Sequence, residues 1–199
     1  GVAVPEIRVP VQPGRNLGAL IEVATLNQRL KQHGVHSARD LNERLIQRAL
    51  DSLGATGRVM VATKGGLRRP GGAWVVDGNP GWLRQSCENS LRALQTDCIG
   101  LYQLHAVDPK VDFRRSLEAL VQLKEEGKIR HLGLSNISPA QLEQALDFTV
   151  IASVQNRCNL FDQQDFHNGL IDFCRARRIT YIPYSPVGGH HGHLRLGQE

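Results

Sequence analysis

The chain predicts an α/β fold of the TIM type, a (β/α)8 barrel that is incomplete, and three observations carry that expectation. Apolar runs of strand length recur along the sequence: VMVATK (59–64), IGLYQLH (99–105), IRHLGLSN (129–136), IASVQN (151–156) and ITYIPYS (179–185). Helix-length segments separate most of them, which is the repeat of a parallel sheet made of βα units. Each run also ends in polar residues, namely Lys64, His105, Ser135 with Asn136, Gln155, and Tyr184 with Ser185. In a parallel barrel such residues share the C-terminal rim, where sites are built. At 199 residues the chain is long enough for a sizeable core but short of the ~250 residues typical of a closed eight-stranded barrel.

The elements follow in order. Residues 1–16, GVAVPEIRVPVQPGRN, read as an irregular N-terminal segment, and they lack the basic stretch and apolar core of a secretory signal. In LGALIEVATLNQRLKQH (17–33), Leu17, Leu20, Ile21, Ala24 and Leu30 recur at helical spacing and Gly34 supplies a stop, which predicts a first outer helix. A second helix is expected over 41–54, capped by Asp40 or Ser37, with Leu41, Leu45, Ala49 and Leu53 on one face. Residues 35–39 alone separate the two, too few for a strand of about 5–6 residues with its connections, so the second barrel strand is missing or collapsed.

Downstream the alternation is regular, with helices predicted over 80–95, 112–126, 139–147 and 163–177. Ser138, Pro139 and Gln141 form the start of a capping box with proline at the first helical position. The Gly- and Pro-rich stretch GGLRRPGGAWVVDGN (65–79) has the length of a lid or binding loop. Residues 187–199, VGGHHGHLRLGQE, read as a flexible tail without an eighth strand. With no repeat and no low-complexity linker, 1–199 is expected to be a single domain.

Composition narrows the functional classes. No apolar stretch approaches the ~20 residues needed to span a bilayer, so no membrane partner is expected, and the cytoplasm is the expected compartment. The formal charge is +5, but Lys and Arg are interleaved with acids, as in RRSLEALVQLKEEGKIR, which argues against a nucleic-acid partner and leaves only a modest field favouring an anionic dinucleotide. Cys87, Cys98, Cys158 and Cys174 contain no C-x-x-C pair and read as reduced, packed thiols. His190, His191 and His193 read as part of the tail, and no metal site is expected.

VATKGG, LYQLH, EEGKIRHLGLSN, SVQNRCNL and YIPYSP, in this order and at these intervals, resemble the aldo-keto reductases, (β/α)8 barrels that transfer a hydride between NADP(H) and a carbonyl. The likeness runs from about residue 43 to 188. It implies that Lys64 is the lysine that lowers the catalytic acid's pKa and that His105 orients the substrate oxygen. It further implies that Ser135, Asn136 and Gln155 hydrogen-bond the nicotinamide carboxamide, that Tyr184 stacks on its ring, and that Ser185 assists at the cofactor phosphates.

Two family segments have no counterpart in the sequence. The Asp and catalytic Tyr of an I-D-T-A-x-x-Y-G pattern are replaced by GVHSARDLNERLI, whose one acid ahead of the helix, Asp40, lies at an expected cap; no Tyr precedes Tyr102. The eighth-strand segment that grips the adenosine phosphate is also not seen. The resulting expectation is an NADP(H)-linked oxidoreductase reducing a small aldehyde or ketone, with impaired activity, weak cofactor binding, and self-association through an open barrel edge. The alternatives are a noncatalytic nucleotide- or partner-binding pseudoenzyme and a Schiff-base enzyme using Lys64.

Overall fold

The structure is a computed structural model, and it describes residues 20–22 and 41–186. In chain order its elements are β1 (Leu20–Glu22), α1 (Leu41–Ser52), β2 (Met60–Gly65), β3 (Leu67–Arg68), β4 (Val75–Val76), α2 (Pro80–Leu94) and β5 (Ile99–Leu104). They continue with α3 (Phe113–Glu125), β6 (Ile129–Ser135), α4 (Pro139–Leu146), β7 (Ser153–Arg157), α5 (Gln164–His167), α6 (Leu170–Ala176) and β8 (Thr180–Tyr184). The main sheet is six-stranded and parallel, in the order β1-β2-β5-β6-β7-β8, and β3 pairs with β4 as a separate antiparallel hairpin. Among the described residues β1 and β8 are each paired on one side only, so the sheet is an incomplete barrel.

Strand alternation sorts the side chains onto two faces. Tyr102, Leu104, Leu132, Leu134 and Val154 join Leu83, Leu117, Leu120 and Leu142 in one buried core between sheet and helices. The opposite, inner face carries Gln103, Gly133 and Ser153: a Cβ on Gly133 would fall 2.8 Å from Gln103 Cγ and 2.4 Å from Ser153 Oγ. Gln103 Nε2 donates to Ser153 Oγ at 3.1 Å, which satisfies two buried polar groups against each other. Tyr102 is fully buried and its hydroxyl lies 3.1 Å from Ser86 Oγ.

The helix starts follow their sequence signals. Asn79 accepts from Gly81 N ahead of Pro80, Asp112 accepts from Arg114 N, and Ser138 and Gln141 complete the capping box. The helix predicted over 163–177 is divided into α5 and α6 by Gly169, whose φ of 80° is left-handed. The loop 65–79 contains the β3–β4 hairpin with a 3-10 turn at Pro70–Gly72.

One expected element is overturned. Leu20–Glu22, assigned by periodicity to an outer helix over 17–33, is a strand that pairs in parallel with Met60, Val61 and Ala62. A three-residue stretch carries no periodicity of its own, and the ladder groups on the edge of β2 supply partners that a helix would leave unused. The irregular segment 1–16, the short connection 35–39, the caps Ser37 and Asp40, and the tail with His190, His191 and His193 lie outside the described residues.

Candidate functional site

The register brings the strand-end residues to one rim. Lys64 pairs with Gln103, Ser135 with Gln155, and Arg157 with Tyr184, and period-2 alternation from Gln103 and Ser153 puts all of these on the inner face. His105 follows β5 directly and is fixed by its backbone N–H, which donates to Gly65 O at 2.8 Å, so it sits beside the end of β2 that carries Lys64.

Asn136 ties the rim together. Its φ of 55° is a left-handed conformation that Asn tolerates better than most residues, and it turns the amide back across the strand ends. The amide nitrogen donates to His105 O at 2.8 Å and to Ser135 Oγ at 3.1 Å, while Oδ1 accepts from the Tyr184 hydroxyl at 2.6 Å. One side chain thereby couples the ends of β5, β6 and β8. Ser185 also has a left-handed φ, 54°, and its carbonyl accepts from Asn159 Nδ2 at 3.0 Å, which fixes the chain just beyond Tyr184.

The electrostatics of the rim are set by burial and positive charge. Burial, reinforced by the Lys64 ammonium, holds the His105 imidazole down to about 3, so it is neutral at physiological pH. Burial raises the Tyr184 phenol above its ordinary range, and the Arg157 guanidinium opposes that shift. Gln155 and Ser135 are almost fully buried. Burial also pushes the Cys87 thiol up to about 12 and Cys174 up to about 11, in keeping with thiols used as packing. No group of three or more potential metal ligands occurs among the described residues.

Three further features were not singled out from the sequence. Arg157 Nε is buried with no hydrogen-bond acceptor among the described residues, which leaves a directed donor on the inner rim. Asn156, on the outer face, accepts from Ile137 N at 3.1 Å and donates to Ile137 O at 2.8 Å, pinning the turn that follows Asn136. The hairpin brings Trp74 to a ring-centroid distance of 5.8 Å from His105, with the Arg69 guanidinium 3.6 Å from the indole centroid. Buried Asp108 anchors the base of that hairpin: it accepts from Gly78 N and Lys110 N, both at 2.9 Å, while Ser116 Oγ donates to Gly78 O. The Gly78 hydrogen bond holds the Asp108 carboxyl below its usual range. SVQNRC contains Asn156 and Arg157, WVVDGN contains Trp74 and Gly78, and Arg69 and Asp108 lie in neighbouring segments, but nothing in spacing alone distinguishes them from ordinary loop polarity.

Comparison with known proteins places this geometry. The Aldo/keto reductase family model matches residues 38–196. A second model, the HPr Serine kinase C-terminal domain, matches residues 1–45, so the two overlap at 38–45. An uncharacterized oxidoreductase of Schizosaccharomyces pombe is 36% identical over 130 residues, covering 65% of this chain and 42% of the relative. A glycerol dehydrogenase structure from Gluconobacter oxydans shares 30% identity at a TM-score of 0.68, over 72% of this chain and 45% of that one. An aldo/keto reductase from Klebsiella pneumoniae, solved with NADP and acetate, shares 26% identity at a TM-score of 0.58, over 73% and 48%. The chain thus spans less than half the length of these relatives.

Proposed function

The chain belongs to the aldo/keto reductase family, and from that membership we propose an NADP(H)-linked carbonyl oxidoreductase site that retains its nicotinamide side and lacks its proton donor. The observation that carries this reading is the rim network in which Asn136 joins His105, Ser135 and Tyr184. The residues present fit a planar, amide-bearing ring: Ser135, Asn136 and Gln155 supply polar contacts, Tyr184 supplies an aromatic face, and the buried Arg157 Nε is a donor awaiting an acceptor. When bound, NADP(H) supplies the hydride. The relative solved with NADP supports the same cofactor here.

Reduction leaves an alkoxide that needs a proton. His105, neutral and beside Lys64, is suited to orient a carbonyl oxygen by a hydrogen bond, and Lys64 supplies positive charge next to it. The three tyrosines of the chain are Tyr102, Tyr181 and Tyr184. Tyr102 is locked in the core against Ser86, Tyr181 donates to Asp165, and Tyr184 donates to Asn136. None occupies the second-strand position from which the family's acid comes, and loss of a positioned acid costs ~10²–10⁴-fold in rate. Turnover on a reactive aromatic aldehyde is therefore expected near background.

The missing tyrosine equally favours a second reading, a noncatalytic nucleotide-binding protein that uses the same rim. Calorimetric titration with NADPH tests both. A stacking contact worth about 0.5–1.5 kcal/mol and a few neutral hydrogen bonds of about the same size support a dissociation constant weaker than roughly 0.1 mM. Tyr184→Ala should abolish what binding there is. Micromolar binding that survives Tyr184→Ala would place the cofactor elsewhere, and robust turnover lost on Lys64→Met would restore full catalysis.

A further inference from the structure

Away from the rim, α1 and the C-terminal end of α2 flank an open cavity of about 320 Å³ lined by Arg44, Gln47, Arg48, Asp51, Arg92, Ala93 and Gln95. On α1 the spacing 44, 47, 48, 51 places its four contributions on one helical face, while Arg92 stands in the last turn of α2 and Gln95 is its left-handed cap. Three arginines against one aspartate leave a surplus of two positive charges.

These arginines share one opening and, among the described residues, lack the carboxylate partners that some other arginines have. Arg68 pairs with Asp77, Arg84 with Glu126 and Arg114 with Glu118. Arg44, Arg48 and Arg92 form no ion pair among the described residues, and Arg92 donates to the neutral Asn89 side chain. The one acid in the cavity, Asp51, accepts instead from Gln47 Nε2 at 2.9 Å and Thr56 Oγ1 at 2.6 Å. Like charges one turn apart on a helix repel, so Arg44 and Arg48 gain from an anion placed between them and Arg92. A guanidinium presents its donors as a planar fork that matches two oxygens of a phosphate, and the Gln47 and Gln95 amides add neutral donors at the same opening.

We propose that this cavity is a binding site for a phosphate group, on the outer helical layer and separate from the strand-end rim. The chemistry is that of a small phosphate dianion, either free phosphate or the phosphate of a small ester. It stands independently of any activity at the rim.

The test is calorimetric titration of the full chain with inorganic phosphate and, separately, with glycerol phosphate, against sodium chloride at matched ionic strength. Saturable heat with phosphate but not chloride is expected, and comparison of the two phosphates identifies free anion or ester as the better ligand. Exposed charge pairs of this kind are worth about 0.2–1 kcal/mol, so each of Arg48→Gln and Arg92→Gln should weaken binding roughly two- to five-fold, and the double variant should remove saturation. Arg115→Gln, an exposed arginine on α3, should change nothing. All three positions are exposed, and circular dichroism melting verifies that the variants fold. Heat that merely tracks ionic strength, or saturable binding that persists in the double variant, would overturn the assignment.

Discussion

β1 meets the sheet over three residue pairs and comes from the stretch matched by the HPr Serine kinase C-terminal domain, whereas β2 through β8 alternate with helices and lie wholly within the Aldo/keto reductase match. The large core cluster, from Leu83 to Ile179, belongs to the second region. The two family matches exchange at 38–45, and that is also where the family's second-strand Asp and Tyr segment gives way to GVHSARDLNERLI. The comparison teaches that the departure from the family's second-strand pattern coincides with the overlap of the two matches. Downstream of the overlap the strand ends keep the family's residue pattern, and the departure is confined to one contiguous stretch.

If the second region carries the stability, the largest loss should come from its core. Leu120 on α3 is fully buried, and Leu120→Ala should cost about 2–5 kcal/mol, since a large-to-small change loses both transfer energy and packing. Urea unfolding measures it directly. A loss below about 1 kcal/mol would mean that this cluster is not the stabilising unit and would break the comparison.

Within the second region the order of strands and helices was legible because signals agree: strand-length apolar runs, Pro at helix starts, and the Ser138 to Gln141 capping box all point to the same boundaries. The rim residues were legible for a different reason, namely that five strand ends align with one family's pattern. Asn136 was legible as a candidate, but its bridging geometry was not, because a left-handed φ and a contact 48 residues away along the chain leave no local trace. Leu20–Glu22 misled for the converse reason: its apolar spacing suits a helix, and only the unpaired edge of β2 makes it a strand. Arg157 lay inside a quoted motif, yet its buried Nε becomes visible only when β8 is placed beside β7.

The next effect is at the rim. Asn136→Ala removes contacts to three partners and places alanine at a φ of 55°, so about 1–3 kcal/mol of stability should go. Asn136→Gly relieves the backbone cost but not the lost amide contacts and should be the milder change. Equal losses in the two variants would show that the amide alone is responsible.

An effect confined to acid pH separates the rim electrostatically. His105 is held at about 3 in the folded chain and titrates near 6.5 when unfolded, so between those values the unfolded state binds the extra proton. Stability contributed by the neutral ring is present above about 6.5 and declines as the pH falls toward 3. His105→Gln should flatten that part of the stability–pH curve, as followed by thermal melts at a series of pH values. An unchanged slope would mean that other groups govern the acid limb.

The smallest stability change is expected where the two regions join. Ile21 sits in the middle of β1, paired with Val61, and Ile21→Pro deletes a backbone donor and restricts the strand. With three register pairs in all, and a net worth of about 0.5–1.5 kcal/mol for one hydrogen bond, the loss should stay near 1 kcal/mol, well under that of Leu120→Ala. Its consequence for association should be larger than its consequence for folding. Weakening β1 bares the parallel edge of β2, whose N–H and C=O groups then seek another strand, and the nearest source is a second copy of the chain. Sedimentation velocity should therefore show a higher associated fraction for Ile21→Pro than for the parent at equal concentration. If Ile21→Pro instead destabilises the fold as severely as Leu120→Ala, the short N-terminal strand is integral to the sheet, and the two regions act as one cooperative unit despite matching different families.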